Sequence, residues 1–186
     1  MSQTENLEIF NLEDFYSDKM VELLYELNQD NTPEVGSIKS LEMFSKLLNM
    51  SSLNLLLKYK DEVIGFIVCF RERSDYSSLN YKFFNNKEKR FLYIDRVVIK
   101  EGYRRKGYGT KIYKYLEDLF IKDLIPICCE VNSFPRNEVS INFHIKNGFD
   151  HVGEYDFDDH SVIYFRKIYI KSVSYTHLTL PTNREV

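Results

Sequence analysis

The clearest chemical feature of the chain is a pair of glycines one residue apart, placed directly behind a run of basic residues. Val97-Val98-Ile99 leads through Lys100-Glu101-Gly102-Tyr103 into Arg104-Arg105-Lys106-Gly107-Tyr108-Gly109-Thr110. An apolar strand thus runs into a tight basic turn and then into an amphipathic helix. Gly107 and Gly109 allow close backbone approach to a ligand and conformations closed to other residues. A helix start offers unpaired N–H groups and the positive end of a dipole, which together suit a pyrophosphate. Arg104, Arg105 and Lys106 add local positive charge. G-x-G alone is weak, because an exposed basic turn would carry the same residues. The third glycine and partner acid of a dinucleotide-binding fingerprint are missing, as is the G-K-[ST] ending of a P-loop.

Charged residues also interrupt strands that are otherwise apolar. Asp95 and Arg96 sit inside the run 91–99, and Glu130 lies in the next short strand. A buried charge is costly without a partner or a function. Adjacent strand residues point to opposite faces, so Asp95 and Arg96 are not expected to pair with each other. Asp95 should then face a cationic substrate, a relayed water or a basic group elsewhere, and Glu130 poses the same question. Asp95 and Glu130 are both candidates for a base or an amine-binding group, with a structural ion pair as the competing role for each.

The elements that must hold these residues can be read from periodicity. A strand is expected over 7–10, helices over 19–27 and 41–48, and a hairpin of strands 53–59 and 63–70 around Lys60-Asp61-Glu62. Asn31-Thr32-Pro33 breaks the first helix and Gly36 ends the following loop. Residues 72–90 read as a long polar, tyrosine-rich loop, a length that usually marks function or mobility. The run 91–99 reads as a buried central strand. A helix from Gly107 to about Ile121, a strand over 126–131, a helix over 138–147 ended by Gly148, and strands over 151–155 and 162–169 complete the order. That order predicts a mixed α/β sheet domain.

Composition narrows the classes. The 186 residues include 44% hydrophobic and 28% charged side chains, a globular balance, and one domain is expected over 1–172. A net charge of −3 gives no general pull toward nucleic acid or anionic membrane. Cys69, Cys128 and Cys129 lack disulfide or zinc spacing, so buried free thiols, no metal and a cytoplasmic location are expected. The first ten residues are polar and acidic, unlike a signal peptide, and no apolar run is long enough for a membrane span. The segment 173–186, VSYTHLTLPTNREV, resembles a translated transposon-end sequencing adapter and is expected to be a non-native tail.

Arg104-x-x-Gly107-x-Gly109 resembles the R/Q-x-x-G-x-G/A signature of the GNAT acetyltransferases, between the fourth strand and the third expected helix. Downstream, Asn137-x-x-Ser140-x-x-Phe143-His144-x-x-x-Gly148-Phe149 is similar to the family's second pattern, N-x-x-A-x-x-L-Y-x-x-x-G-F. Further segments, among them Tyr93-Ile94-Asp95-Arg96-Val97-Val98 and Cys129-Glu130-Val131-Asn132, resemble a poorly characterised bacterial subfamily. The resemblance covers nearly all of 7–169. It implies the GNAT fold, with fourth and fifth strands splayed apart, and acetyl-CoA as co-substrate without a metal. It implies direct attack of a primary amine, on a small molecule or peptide, on the thioester. Backbone N–H groups near Val97 and Val98 would face the acetyl carbonyl, Ile99 would pair with the pantetheine arm, and Asn137 would lie beside the cofactor. His144 stands where the family usually has a tyrosine acting as general acid. Imidazole can donate a proton near neutral pH, although a packing role is as good a reading.

Tyr76, Asn80 and Tyr81 in the 72–90 loop could form a substrate lid, with solvent-facing tyrosines or simple core anchoring as the more common explanation, and Glu34 in the first inter-helix loop is a weaker candidate. Acidic and aromatic residues together would favour an amine with an apolar or cationic body. A non-catalytic acyl-CoA-binding sensor or scaffold would keep the same cradle. A tRNA-directed enzyme would need a basic surface that this acidic chain lacks. The family resemblance is also compatible with a homodimer.

Overall fold

The computed structural model describes residues 7–170. The expected tail 173–186 lies outside the described residues. Seven strands form one sheet in the order β1-β2-β3-β4-β5-β7-β6. They are β1 (Leu7–Asn11), β2 (Leu53–Tyr59), β3 (Glu62–Arg71), β4 (Leu92–Ile99), β5 (Ile127–Phe134), β6 (Asp150–Asp156) and β7 (Ser161–Lys167). Every pairing is antiparallel except β4 with β5. This is the mixed α/β sheet domain that the order of elements in the sequence predicts.

Two apolar layers sandwich the sheet. On one face α1 (Asp18–Asp30), α2 (Leu41–Met50) and α3 (Leu79–Asn85) bury Leu24, Phe44, Tyr81 and Phe84 against Phe66, Val68 and Tyr93. On the other, α4 (Tyr108–Phe120) and α5 (Glu138–Lys146) bury Ile112, Leu116 and Ile141 against Ile67, Leu92 and Ile127. Each fully buried side chain of this size is worth about 1.5–3 kcal/mol.

Helix α3 corrects the reading of 72–90 as loop throughout. Seven residues are too few to show a periodic stripe, but Ser78 caps them by accepting from the Tyr81 N–H at 3.4 Å. Side chains likewise cap α1 (Ser17), α2 (Ser40) and α5 (Asn137). Helix α4 differs: its N-cap is Gly107, at φ 81°, and no side chain caps it. The start of α4 is therefore left to another kind of partner.

Strand β4 carries a bulge that decides where its charges point. Val68 pairs with Arg96 and Cys69 with Ile94, so Asp95 is the extra, unpaired residue. The alternation slips there by one. Leu92 and Ile94 face α4 and α5, while Val97 and Ile99, in odd rather than even positions, return to that same face. Gly65 allows the strand to press close, because a Cβ there would sit 2.1 Å from the Val98 carbonyl oxygen.

Candidate active site

Strands β4 and β5 pair only at Leu92 with Ile127 and Tyr93 with Cys128. Beyond those residues they diverge, as the sequence resemblance implied, and a cleft opens between them. It has two chambers. One, of about 480 Å³, is lined by Ile99, Arg104, Arg105, Gly107, Gly109 and Thr110. The other, of about 600 Å³, is lined by Asn80, Asp95, Glu130, Asn132 and the loop from Thr32 to Ser37. Val97, Tyr113, Asn137, Ser140 and His144, with Glu34 and Val35, line both and form the neck between them.

The first chamber is the basic turn made solid. Arg105 at φ 60° and Gly107 at φ 81° both adopt the left-handed region, so the turn curls its backbone around a concavity of the kind that binds anions. A side chain at 107 would be strained there. Arg104 lines the chamber while its Nε donates to the Ile99 carbonyl at 3.0 Å and its Nη2 to Asn31 Oδ1. The inter-helix loop is thereby tied to the end of β4. Tyr108 lines the chamber from a buried position. Lys106 is not part of the lining, and its Nζ lies 5.1 Å from the centre of the ring of Tyr103, which is. Val98 buries its side chain against α1–α3, and the expectation for it concerned its backbone N–H. A flexible lysine finds the nearest aromatic face, and the shifted alternation turns Val98 inward.

In the second chamber the two acidic candidates differ sharply. Asp95 accepts from Tyr76 Oη at 2.6 Å and from Arg96 Nε at 2.8 Å. Arg96 in turn donates to Asn28 Oδ1 at 2.6 Å. The expectation that Asp95 and Arg96 would not pair is overturned, because the bulge brings both to the α1–α3 face. Their side chains are only 5% and 9% exposed, so this is an inner ion pair. Among the described residues Glu130 has no such cation: it accepts from Tyr93 Oη at 2.7 Å and Asn80 Nδ2 at 3.2 Å. Burial, aided by the nearby Asp95 charge, pushes the Glu130 carboxyl up to about 8, with those hydrogen bonds pulling the other way. Such a carboxylate can take a proton near neutral pH.

The lid expected from the tyrosine-rich loop is not what forms. Tyr81 is 1% exposed and sits in the core, donating to the Arg71 carbonyl at 2.8 Å and accepting from the Ser74 N–H at 2.8 Å. Tyr76 stacks on Phe70 with centroids 4.1 Å apart and reaches the chamber only through Asp95. A tyrosine read as a substrate contact thus serves as anchor, since its ring is large enough to be worth burying. Asn80 does line the chamber, and Glu34 is exposed at its rim.

At the neck, His144 is 4% exposed. Its Nδ1 lies 2.7 Å from the Ser140 carbonyl oxygen, which can only accept, so Nδ1 carries the proton. Nε2 then accepts from Tyr113 Oη at 2.8 Å. Burial holds the imidazole below its ordinary pKa, and the ring is neutral. The expectation of a freely donating imidazole is therefore revised: both nitrogens are engaged. Asn137 caps α5 through its Oδ1, which accepts from the Ser140 N–H at 3.1 Å. Sequence reasoning gave Tyr113 and Tyr93 no role of their own. Their signal was a hydroxyl at a position pointing inward, which needs a partner when buried.

Comparisons with known proteins agree with this geometry. The Acetyltransferase (GNAT) family model matches residues 21–149, more than half of the chain. A search of curated proteins gave no match. Among solved structures, Arabidopsis thaliana NAA60 with a bisubstrate analogue superposes with TM-score 0.66 at 14% identity, covering 88% of this chain and 98% of that one. Arabidopsis thaliana Naa50 with the bisubstrate analogue CoA-Ac-MVNAL gives 0.63 at 19% identity, covering 87% and 98%. The ribosomal-protein-S18-alanine N-acetyltransferase of Escherichia coli gives 0.62 at 15%, covering 91% and 97%. At these identities the structures speak to the fold, and the family match, over sheet, cradle and neck alike, gives the assignment: the chain belongs to the GNAT family of N-acetyltransferases.

Proposed function

We propose that the chain transfers the acetyl group of acetyl-CoA to a primary amine of a small molecule or peptide by direct attack, with Glu130 as the base. The observation that carries this reading is Glu130 itself, a carboxyl group without a cation partner among the described residues, at the chamber joined through the neck to the glycine cradle.

The residues of the first chamber fit a CoA ester. Arg105, Gly107 and Gly109 would meet the diphosphate through backbone amides and charge, and Ile99 the pantetheine arm. When bound, acetyl-CoA supplies the activated acyl carbon. Backbone N–H groups near Val97 would face the carbonyl oxygen and stabilise the charge it gains. Glu130 would take the proton that the amine sheds on attack, directly or through one water. Asp95, with both oxygens committed to Tyr76 and Arg96, is a positioning residue in this reading. It holds Arg96 against α1 and so fixes the loop that bounds the acceptor. Holding two reactants across one neck is itself a large part of the rate. Glu34 and Asp159 add negative charge at the rim, which supports an acceptor with a cationic body.

A panel of amines and short peptides with acetyl-CoA, followed by free-thiol release, tests the proposal. Thiol release that depends on one class of amine, with the acetylated product seen by mass spectrometry, is expected. CoA binding with no turnover across the panel would overturn it.

A further inference from the structure

The order of elements read from the sequence has no helix between β3 and β4, yet α3 forms there and reaches the second chamber through Asn80. We propose that Asn80, steered by Tyr164, is the positioning residue that aims the Glu130 carboxylate at the acceptor, an inference that rests on Glu130 as the base. Carboxylate oxygens only accept, so the amide turns its Nδ2 to Glu130, 3.2 Å from Oε1. Its Oδ1 then accepts from Tyr164 Oη at 3.0 Å, which holds the amide in that donating orientation. Tyr93 Oη donates to the other carboxylate oxygen at 2.7 Å. One donor on each oxygen fixes the plane of the group and leaves acceptor capacity for a substrate proton.

The helix is clamped where this role requires. Phe83 stacks on the Tyr164 ring with centroids 3.9 Å apart, and Phe84 meets it edge-on at 5.5 Å. Gly153 on β6 leaves room for the stack, since a Cβ there would sit 2.7 Å from Phe83 Cζ. Just beyond α3, Glu88 pairs with Arg166 of β7 at 2.5 Å. The helix is thus tied to β7 at two points, and its first turn presents Asn80 to β5. The titratable groups nearest Glu130 are Asp95 and Tyr93 on β4, Tyr76 ahead of α3, Tyr164 on β7, Tyr113 on α4 and the adjacent Cys129. Arg96 bonds Asp95, and Glu34, His144, Asp159 and His160 line the same chamber. Asn80 differs from all of these in being a neutral donor. It steadies the ionised carboxylate without bringing a cation that would repel an amine with a cationic body.

The test reads Glu130 directly and needs no acceptor. Its carboxyl carbon is followed by NMR in protein carrying labelled glutamate, with Glu130→Gln assigning the signal. In the unaltered protein it should titrate at about 8. Asn80→Ala removes the donor and should raise the proton affinity of Glu130 about tenfold. Asn80→Asp keeps the shape with an acceptor in place of the donor, and should raise it at least as far. Tyr164→Phe keeps both ring contacts but frees the amide to turn, and should raise it about threefold. The rising limb of thiol release, with an amine that the panel identifies, should move up in the same order. A merely structural Asn80 would lower the melting temperature and leave the Glu130 titration in place. That result in Asn80→Asp and Tyr164→Phe would overturn the positioning role even if Asn80→Ala folds poorly. A Glu130 carbon that titrates with the other glutamates in the unaltered protein would instead overturn the base, and the positioning role with it.

Discussion

The two chambers of the cleft are built in opposite ways. The chamber proposed for the cofactor is curled around one short stretch, Arg104 to Thr110, whose glycine and arginine backbone shapes its floor, with β4, α5 and the inter-helix loop closing its sides. The acceptor side is assembled from residues far apart in sequence: Asn80 and Tyr93 bond Glu130, while Asn28, Tyr76 and Arg96 converge around Asp95. On the proposed reading, local chemistry would bind the common reactant, and long-range packing would shape the site for the variable one. A site of the first kind is damaged at one backbone position; a site of the second kind is damaged wherever its network is cut.

The sharpest way to separate the two sides is Glu130→Gln. It should cost about 100- to 1,000-fold in kcat while CoA affinity, measured calorimetrically, is unchanged. The unaltered enzyme should gain activity as pH rises through about 8, where Glu130 ionises, and the variant should lose that limb of the profile. Stability has the opposite sign. The folded carboxyl holds its proton up to about 8 while the unfolded chain releases it near 4.5, so folding weakens as pH rises across that window. Melting temperatures of Glu130→Gln should show a flatter pH dependence there.

Next in size is Asp95→Asn. It leaves Arg96 as an inner cation without its partner and should cost about 3 kcal/mol in denaturant unfolding, beyond any loss in turnover. If turnover falls in step with stability while the pH profile keeps its Glu130 limb, Asp95 positions and does not react. An equal loss of that limb would make it a second base.

Gly107→Val attacks the other side. It forces a branched side chain into φ 81° and should weaken CoA binding at least tenfold, with about 1–2 kcal/mol lost from folding. Retained affinity in the folded variant would remove the cradle from the cofactor site. The smallest effect belongs to Lys106→Ala, because Lys106 lies over Tyr103: CoA affinity within about twofold, by the same calorimetry.

The contrast also explains what could be read before the fold was known. The glycine turn and the helix behind it were legible because Gly107 acts through its own backbone, whereas the divergence of β4 from β5 came only with the family resemblance. The pairing of Asp95 with Arg96 was not, since it depends on one unpaired residue opposite Val68 and Cys69 that no alternation rule reveals. Helix α3 was hidden by its shortness. For Tyr81 the polar segment left lid and core anchor both open, and the burial of its ring decides for the anchor. Tyr113 fitted the apolar stripe of α4, and only the imidazole opposite it gives its hydroxyl a meaning.

The extra residue in β4 has a consequence for how the strand could change. It works as a parity switch. Val97 looks into the neck and Val98 into the opposite layer because an odd residue intervenes upstream. Removing Asp95 alone would restore strict alternation and keep Val97 and Val98 on the faces they hold now, while leaving Arg96 beside Asn28 without its carboxylate.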